Sequence, residues 1–289
     1  MKWLKERSLY LKTVLGMLTI SLTVLLLVAT IMLLWFRKEL AAGYYNLTKA
    51  AMGNTDTIFS QMIEEIKERG MQWYQDPDGV SLRLDPDTDF SQHIGYINEI
   101  QNTLIGNNYI QGICYINKNK EVRLNIGNRN NRTEKIEEKL LTLLEKEELK
   151  ENHIVWKGKE IYSEEEIPVI SFVTKEMGSY GENFRGMTVV SIDLRELNKS
   201  IFNSEQKEEP RFLILNEKGY IVGDSMLANL GENWSEKEWV QKILQGEGRF
   251  QFKEGNTKLE CIAAESSQKG FYVVTLSKYA AGIASANHM

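Results

Sequence analysis

The sequence predicts an α+β protein: an N-terminal transmembrane helix continuing into a long helix, then two antiparallel-sheet modules in tandem. Three observations predict it. Residues 13–36 carry no charge. Beyond them, from Arg37 to Tyr74, apolar residues recur at close to the helical period. Further on, two strand patterns from the middle of the chain return in the same order near its end.

The uncharged run reads TVLGMLTISLTVLLLVATIMLLWF. As a helix it reaches about 36 Å, enough to cross a hydrocarbon core of about 30 Å with some tilt. Trp35 and Phe36 close it with rings that favour the interface. Lys2, Lys5, Arg7 and Lys12 precede it, opposed only by Glu6, and such an excess of positive charge holds an N-terminus in the cytoplasm. The alternative is a cleaved signal peptide, but its apolar region would span only about 7–15 residues, and Leu40-Ala41-Ala42-Gly43 is a poor cleavage site. The expectation is a single-pass protein of the cell membrane: 1–12 cytoplasmic, 13–36 in the bilayer, the rest extracytoplasmic.

The chain has 35 basic and 40 acidic residues, of which the first 36 residues hold four and one, leaving 31 and 39 and a net charge near −8 for the remainder. Nucleic acid is excluded as a partner of such a domain, because phosphate binding needs a basic face. An anionic membrane surface is disfavoured for the same reason. Cys114 and Cys261 both lie in apolar runs. They read as buried, reduced residues, with a disulfide as the alternative in an oxidising compartment.

Residues 37–75 form the expected stalk helix, with Leu40, Tyr44, Leu47, Ala51, Phe59, Met62, Ile66 and Trp73 as its apolar stripe. Asp76-Pro77-Asp78-Gly79 stops it with turn chemistry. Asp85-Pro86-Asp87-Thr88-Asp89 begins like a calcium loop, but Phe90 and Tyr96 stand where glycine and glutamate are needed, so it reads as a helix cap or solvated loop. A shorter helix follows over 91–105. Gly112–Ile116 and Glu121–Ile126 form a strand pair around the polar turn 117–120. A charged helix is expected over 132–150, then strands near 154–156, 168–174 and 187–192. Asn203–Pro210 reads as a polar linker.

The repeat has two parts. Ile116-Asn117-Lys118-Asn119-Lys120-Glu121-Val122 aligns with Leu215-Asn216-Glu217-Lys218-Gly219-Tyr220-Ile221, and Gly186–Ile192 aligns with Gly270–Leu276. The first is a strand, an Asn-led turn and a returning strand; the second is a glycine followed by one strand. A duplicated module is the simplest source of two ordered matches.

A long helix and two sheet modules outside a membrane, with Asn-led hairpins at 117 and 216 and the strand Gly186–Asp193, resemble the double-Cache extracytoplasmic sensor domain. The resemblance covers about residues 37–279. It implies two PAS-like modules, membrane-distal over 76–202 and membrane-proximal over 211–279, with 280–289 as a short stub. It also implies a receptor of the kind found in membrane-bound sensor histidine kinases and AraC-family transmembrane regulators. The amino-acid-binding branch of that family carries an arginine and a tryptophan two apart after the first hairpin. Here Asn125–Thr133 supplies Arg129 and Arg132 without that tryptophan, so no ligand residue carries over. Asp193 matches a family position and equally suits a cap for the next helix.

No catalytic motif is present: no Gly-x-Ser-x-Gly, no phosphate loop, no Cys-x-x-Cys, and three histidines, none paired at metal-ligand spacing. A non-enzymatic protein without metal or cofactor is expected. A PAS-like pocket needs apolar walls and a few polar groups, and Tyr115, Arg123, Trp156, Tyr162, Ser171 and Thr174 are the candidates. Tyr115 and Trp156 also suit an ordinary core role. Two functions follow: a sensor that binds a small solute and signals through the anchoring helix, or a surface-attached binding or assembly protein without signal output. The end at Met289, where a second span would be expected, favours the sensor part of a longer receptor. The stripe Leu40, Tyr44, Leu47 and Ala51 offers a homodimer contact.

Overall fold

The computed structural model describes residues 2–84, 89–107, 109–119, 121–127, 133–134, 142, 153–160, 166–177, 184–202 and 210–278. Helix α1 runs unbroken from Lys2 to Gln75. Among the described residues it is the one helix long and apolar enough to cross a membrane. Its large apolar side chains between Val14 and Phe36 are exposed. The hydroxyls of Thr23 and Thr30 donate to carbonyls one turn back, at 2.5 and 2.7 Å, so these polar groups are satisfied within the helix.

Further along α1, Met52, Phe59, Ile66 and Trp73 are buried at strict seven-residue spacing, with Ile63 between them. The stripe expected from sequence is right at Phe59, Ile66 and Trp73, off by one residue at Leu47, Ala51 and Met62, and half-buried at Leu40 and Tyr44. Ile63 and Met52 are buried, while Met62 and Ala51 are only half-buried and Leu47 is 74% exposed. The cause is the period: a heptad drifts relative to 3.6 residues per turn, so a stripe extrapolated over several turns lands on a neighbour.

Asp76-Pro77-Asp78-Gly79 ends α1 as expected but also starts a second helix, α2 (Pro77–Leu84), which the turn reading missed. Asp76 accepts from the Asp78 amide at 2.9 Å, and proline occupies the first helical position, where its missing N–H costs nothing. Of the next acidic loop, 85–88 lie outside the described residues. Asp89 caps a 3-10 turn (Phe90–His93) by accepting from the Ser91 amide, and α3 (Ile94–Ile105) follows.

The first sheet contains β1 (Ile110–Asn117), β2 (Val122–Gly127), β3 (Thr133–Glu134), β4 (His153–Glu160), β5 (Glu166–Met177) and β6 (Phe184–Asp193), in the order β2-β1-β6-β5-β4-β3. The charged helix expected over 132–150 falls mostly outside the described residues; 133–134 form β3 instead, and 142 is helical. After α4 (Leu194–Ile201) comes the second sheet: β7 (Arg211–Asn216), β8 (Ile221–Asp224), β9 (Arg249–Glu254), β10 (Thr257–Glu265) and β11 (Phe271–Lys278), in the order β8-β7-β11-β10-β9. Helix α5 (Glu238–Leu244) lies between β8 and β9 in sequence. Of the linker expected over 203–210, residues 203–209 lie outside the described residues.

The sequence repeat is a structural repeat. β1, β2 and β6 hold the places in the first sheet that β7, β8 and β11 hold in the second. Both hairpins are irregular at the aligned step, Tyr115/Ile116 and Ile214/Leu215. Asn117 Oδ1 accepts from the amides of Asn119 and Glu121, and Asn216 Oδ1 accepts from those of Lys218 and Tyr220. The leading asparagine is therefore the turn's own hydrogen-bond acceptor.

Residues 51–277 form one compact unit holding both sheets. Within it α1 packs on each. Phe59 meets Phe271 edge-on at 5.1 Å, Lys67 lies over Phe172, and Gly70 is so close to Val190 that a methyl would crowd it at 3.2 Å. Cys114 and Cys261 are buried free thiols on different sheets, and burial, aided by Glu260, pushes Cys261 up to about 12.

Candidate functional site

Antiparallel pairing fixes which side chains share a face of the first sheet. Opposite Ser171 on β5 stand Ile154 on β4 and Ser191 on β6; opposite Thr174 stands Thr188, and opposite Thr188 stands Tyr115. One face thus holds Cys114, Ile116, Ile154, Trp156, Val169, Ser171, Val173, Val189 and Ser191. The other holds Tyr115, Thr174, Phe172, Thr188 and Val190, and this second face meets α1.

The six residues expected to line a pocket divide between these faces. Trp156 and Ser171 come together: Trp156 Nε1 donates to Ser171 Oγ at 2.8 Å, and Ser171 Oγ lies 2.8 Å from Ser191 Oγ. All three are buried within an apolar cluster. Tyr115 and Thr174 are on the α1 side. The hydroxyls of Tyr115 and Tyr96 both donate to the Trp73 carbonyl at 3.0 Å, so Tyr115 ties the end of α1 to the sheet. Gly79 packs over this pair, where a side chain would collide at 2.5 Å with the Tyr96 hydroxyl. Arg123 is half-buried on β2 next to the hairpin irregularity. Tyr162 lies outside the described residues.

Ser191 was missed by sequence reasoning. Its signal is the register: aligning β5 with β6 puts it opposite Ser171, giving a thread of three polar groups across three strands. A buried polar thread in an apolar wall supplies fixed donors and acceptors at low conformational cost.

Asp193 ends β6 and caps α4, accepting from the Arg195 amide at 2.8 Å, from the Arg195 guanidinium at 2.9 Å and from Gln111 at 3.2 Å. On α4, Asn198 bonds the backbone of Asp224 in both directions, at 2.9 and 2.7 Å. Asp224 is fully buried and paired with Arg211 at 2.6 Å. Burial alone would raise its carboxyl, but the Arg211 hydrogen bond and charge and the Met226 and Asn229 amides together hold it below the ordinary value.

The two sheets also meet. His153 of β4 stacks on Phe271 of β11 at 4.7 Å, and Phe271 in turn touches Phe59 of α1. The turn between β10 and β11 grips α1: Asp56 accepts from the Ser266 hydroxyl and from the Ser267 amide and hydroxyl, and Lys67 donates to Gln268 at 2.8 Å. Burial pushes the Asp56 carboxyl up, but these serine hydrogen bonds outweigh it and hold it low.

No family model matches the sequence, and no curated protein matches it. Solved structures do. The ligand binding domain of Mlp24 with asparagine is 14% identical, with a TM-score of 0.51 over 87% of this chain and 97% of that one. The extracellular domain of soHK1S-Z6, assigned as a histidine kinase, is 13% identical, with a TM-score of 0.55 over 86% and 98%. A domain of a sensory box/GGDEF family protein from Vibrio parahaemolyticus is 8% identical, with a TM-score of 0.51 over 82% and 98%.

Proposed function

We propose that this chain, which has the double-Cache fold, is a membrane-anchored sensor whose distal sheet binds a small solute outside the cytoplasm and passes the signal to the membrane through α1. The observation that carries the reading is α1 itself. One unbroken helix contains both the uncharged run and the residues, Met52 to Trp73, that pack on the two sheets. A ligand moves a receptor only by binding two states unequally. An element packed on both modules is the one on which such a bias acts, and small shifts of a packed helix are a known form of switch.

The lysines and arginine before the span place its N-terminus in the cytoplasm and the modules outside. The solute site is the face of the first sheet that carries Trp156, Ser171 and Ser191, away from α1. The indole and the two hydroxyls can reorient their hydrogen bonds toward a ligand, and the apolar cluster around them supplies the walls. Mlp24 was solved with asparagine. Amino acids therefore head the candidates, although Arg129 and Arg132 lack the tryptophan that accompanies arginine in amino-acid-binding relatives. The modules divide at 202–211. Exposed Leu47, with Leu40, Tyr44 and Ala51, supplies a contact for a second copy. Output domains of the histidine-kinase or AraC type fit this sensor.

Inserting Gly-Gly between Leu47 and Thr48 tests the reading. The insertion breaks the helical phase between span and modules, so output is lost while solute affinity stays within about twofold, as expected when the site lies elsewhere. Signalling that survives unchanged contradicts transmission through α1. A chain that binds solute but never produces a helix-dependent output is the surface-attached binding protein instead.

A further inference from the structure

Where the two sheets meet, a buried imidazole stands between them. His153 opens β4 and pairs with Phe172 on β5, so it lies on the face that meets α1. It is 6% exposed. Its ring stacks on Phe271 of the second sheet, with centroids 4.7 Å apart and planes 26° from parallel, and Phe172 lies 6.1 Å from it at a tilt. These aromatic contacts accept a neutral or a charged ring. The charge state is therefore decided by the polar neighbour.

That neighbour is Asn216 of β7, whose Nδ2 lies 3.4 Å from His153 Nε2. Its amide is fixed in orientation. Oδ1 already accepts from the amides of Lys218 at 3.1 Å and Tyr220 at 2.9 Å in the turn, so the NH2 is the group turned toward His153. The repeat shows why this donor is available. In the first sheet Asn117 gives its Nδ2 to Glu121 at 2.8 Å. Tyr220 holds the place of Glu121 in the second hairpin, and the NH2 of Asn216 goes to His153 instead. An NH2 opposite Nε2 makes Nε2 the acceptor, so the ring is neutral and carries its proton on Nδ1. Protonating Nε2 would set two donors against each other at a buried contact.

The elements packed around the ring carry charges of both signs. On α1, Lys67 lies over Phe172, the same ring that His153 touches, and so opposes a second cation there, while Glu64 is bonded to Gln268. Glu217 and Lys218 follow Asn216 in the β7–β8 turn, and Lys269 and Tyr272 flank Gly270 and Phe271. The carboxylates that would favour a charged ring, Glu64 and Glu217, are exposed, where water and salt screen them. We propose that His153 makes the junction of the two sheets pH-sensitive: the sheets dock around a neutral imidazole, and acidification through the histidine range loosens them. The unfolded chain takes up this proton at about pH 6.5 and the docked one resists it, so the contact is strongest above that value and weakens as pH falls below it. Phe271 also touches Phe59, so the change reaches α1. Exposure of the junction to outside pH rests on the membrane orientation proposed above. The titration itself does not, and it is separate from the Trp156–Ser171–Ser191 face.

The chain has three histidines, so histidine-selective NMR of the full chain in lipid nanodiscs follows the ring directly, with His153→Phe to assign its signal. His153 stays neutral to at least about one pH unit below the free value of about 6.5. Denaturant unfolding gives the linked effect. From about pH 7.5 to about pH 5.5 the wild type loses about tenfold in its folding constant relative to His153→Phe, which keeps the aromatic stack and has no proton to gain. Asn216→Asp reverses the sign: aspartate makes the same turn but turns a carboxylate oxygen toward Nε2, so the same acidification strengthens this variant relative to His153→Phe. A His153 that titrates at or above the free value overturns the proposal. So does a parallel loss of stability in wild type and His153→Phe, or an Asn216→Asp variant that keeps the wild-type sign.

Discussion

Ser171 is a hydroxyl in the middle of an apolar wall, and it serves two neighbours at once. Ser171→Val leaves the Trp156 indole N–H without its acceptor, and the expected cost is about 1–3 kcal/mol in denaturant unfolding. Adding Ser191→Val costs less than a second independent loss, because the two hydroxyls satisfy each other. Asp224 is the other informative residue. Removing one partner of a buried ion pair leaves the other uncompensated, so Asp224→Asn costs about 3 kcal/mol at neutral pH. The sign with pH follows from its lowered carboxyl. The paired form is stabilising above the unfolded value, and that contribution fades as pH falls through the lower folded value. The gap between wild type and Asp224→Asn is therefore constant near neutrality and closes in acid, which unfolding curves from pH 7 downward check. Sequence could show that Trp156 and Ser171 were polar groups in apolar strands. Alternation within β5 already sets Thr174 against Ser171, three residues away, but it could not show which way Tyr115 faces, because it leaves open which parity of one strand matches which parity of the next. Only register settles that, through the β1–β6 pairing of Tyr115 with Thr188.

At the scale of elements, α1 was legible in existence and length and less so in rotation. Ile63→Ala, at a fully buried position, costs about 2–5 kcal/mol, whereas Leu47→Ala, at an exposed one, stays within about 0.5 kcal/mol. Equal costs would put the stripe where a uniform 3.6 period places it. Asp76-Pro77-Asp78-Gly79 shows a different limit: the residues that make a turn also make a helix start, and only the capping bond to Asp78 distinguishes them. The grip of the β10–β11 turn on Asp56 was not legible at all. It joins residues more than two hundred positions apart, and nothing in either segment names its partner. Asp56→Ala should speed hydrogen exchange in the Ser266–Gln268 turn while leaving the β5–β6 pair protected, since apart from a 3.4 Å bond from Ser60 the bonds lost belong to that turn.

At the scale of the whole chain, the repeated architecture was legible because the repeat keeps turn chemistry along with pattern. Asn117 and Asn216 make the same turn, and the strands that match in sequence hold the same places in their sheets. The proposed solute site was only half legible, because three of its polar groups meet across three strands. Protease added outside intact cells should digest residues 40–289 and spare the first twelve; the reverse would invert the membrane orientation. The most direct measurement of the central claim is thermal unfolding of the full chain in nanodiscs across a panel of amino acids, small carboxylates and nucleobases. A solute at a hundred times its Kd adds about 2.7 kcal/mol to stability, well above the noise of a melting curve. The account predicts at least one stabilising solute whose effect disappears in Ser171→Val and Trp156→Phe and survives in Lys253→Gln, an exposed change on β9 of the second sheet. A panel without effect, or a stabilisation indifferent to Ser171 and Trp156, would contradict it.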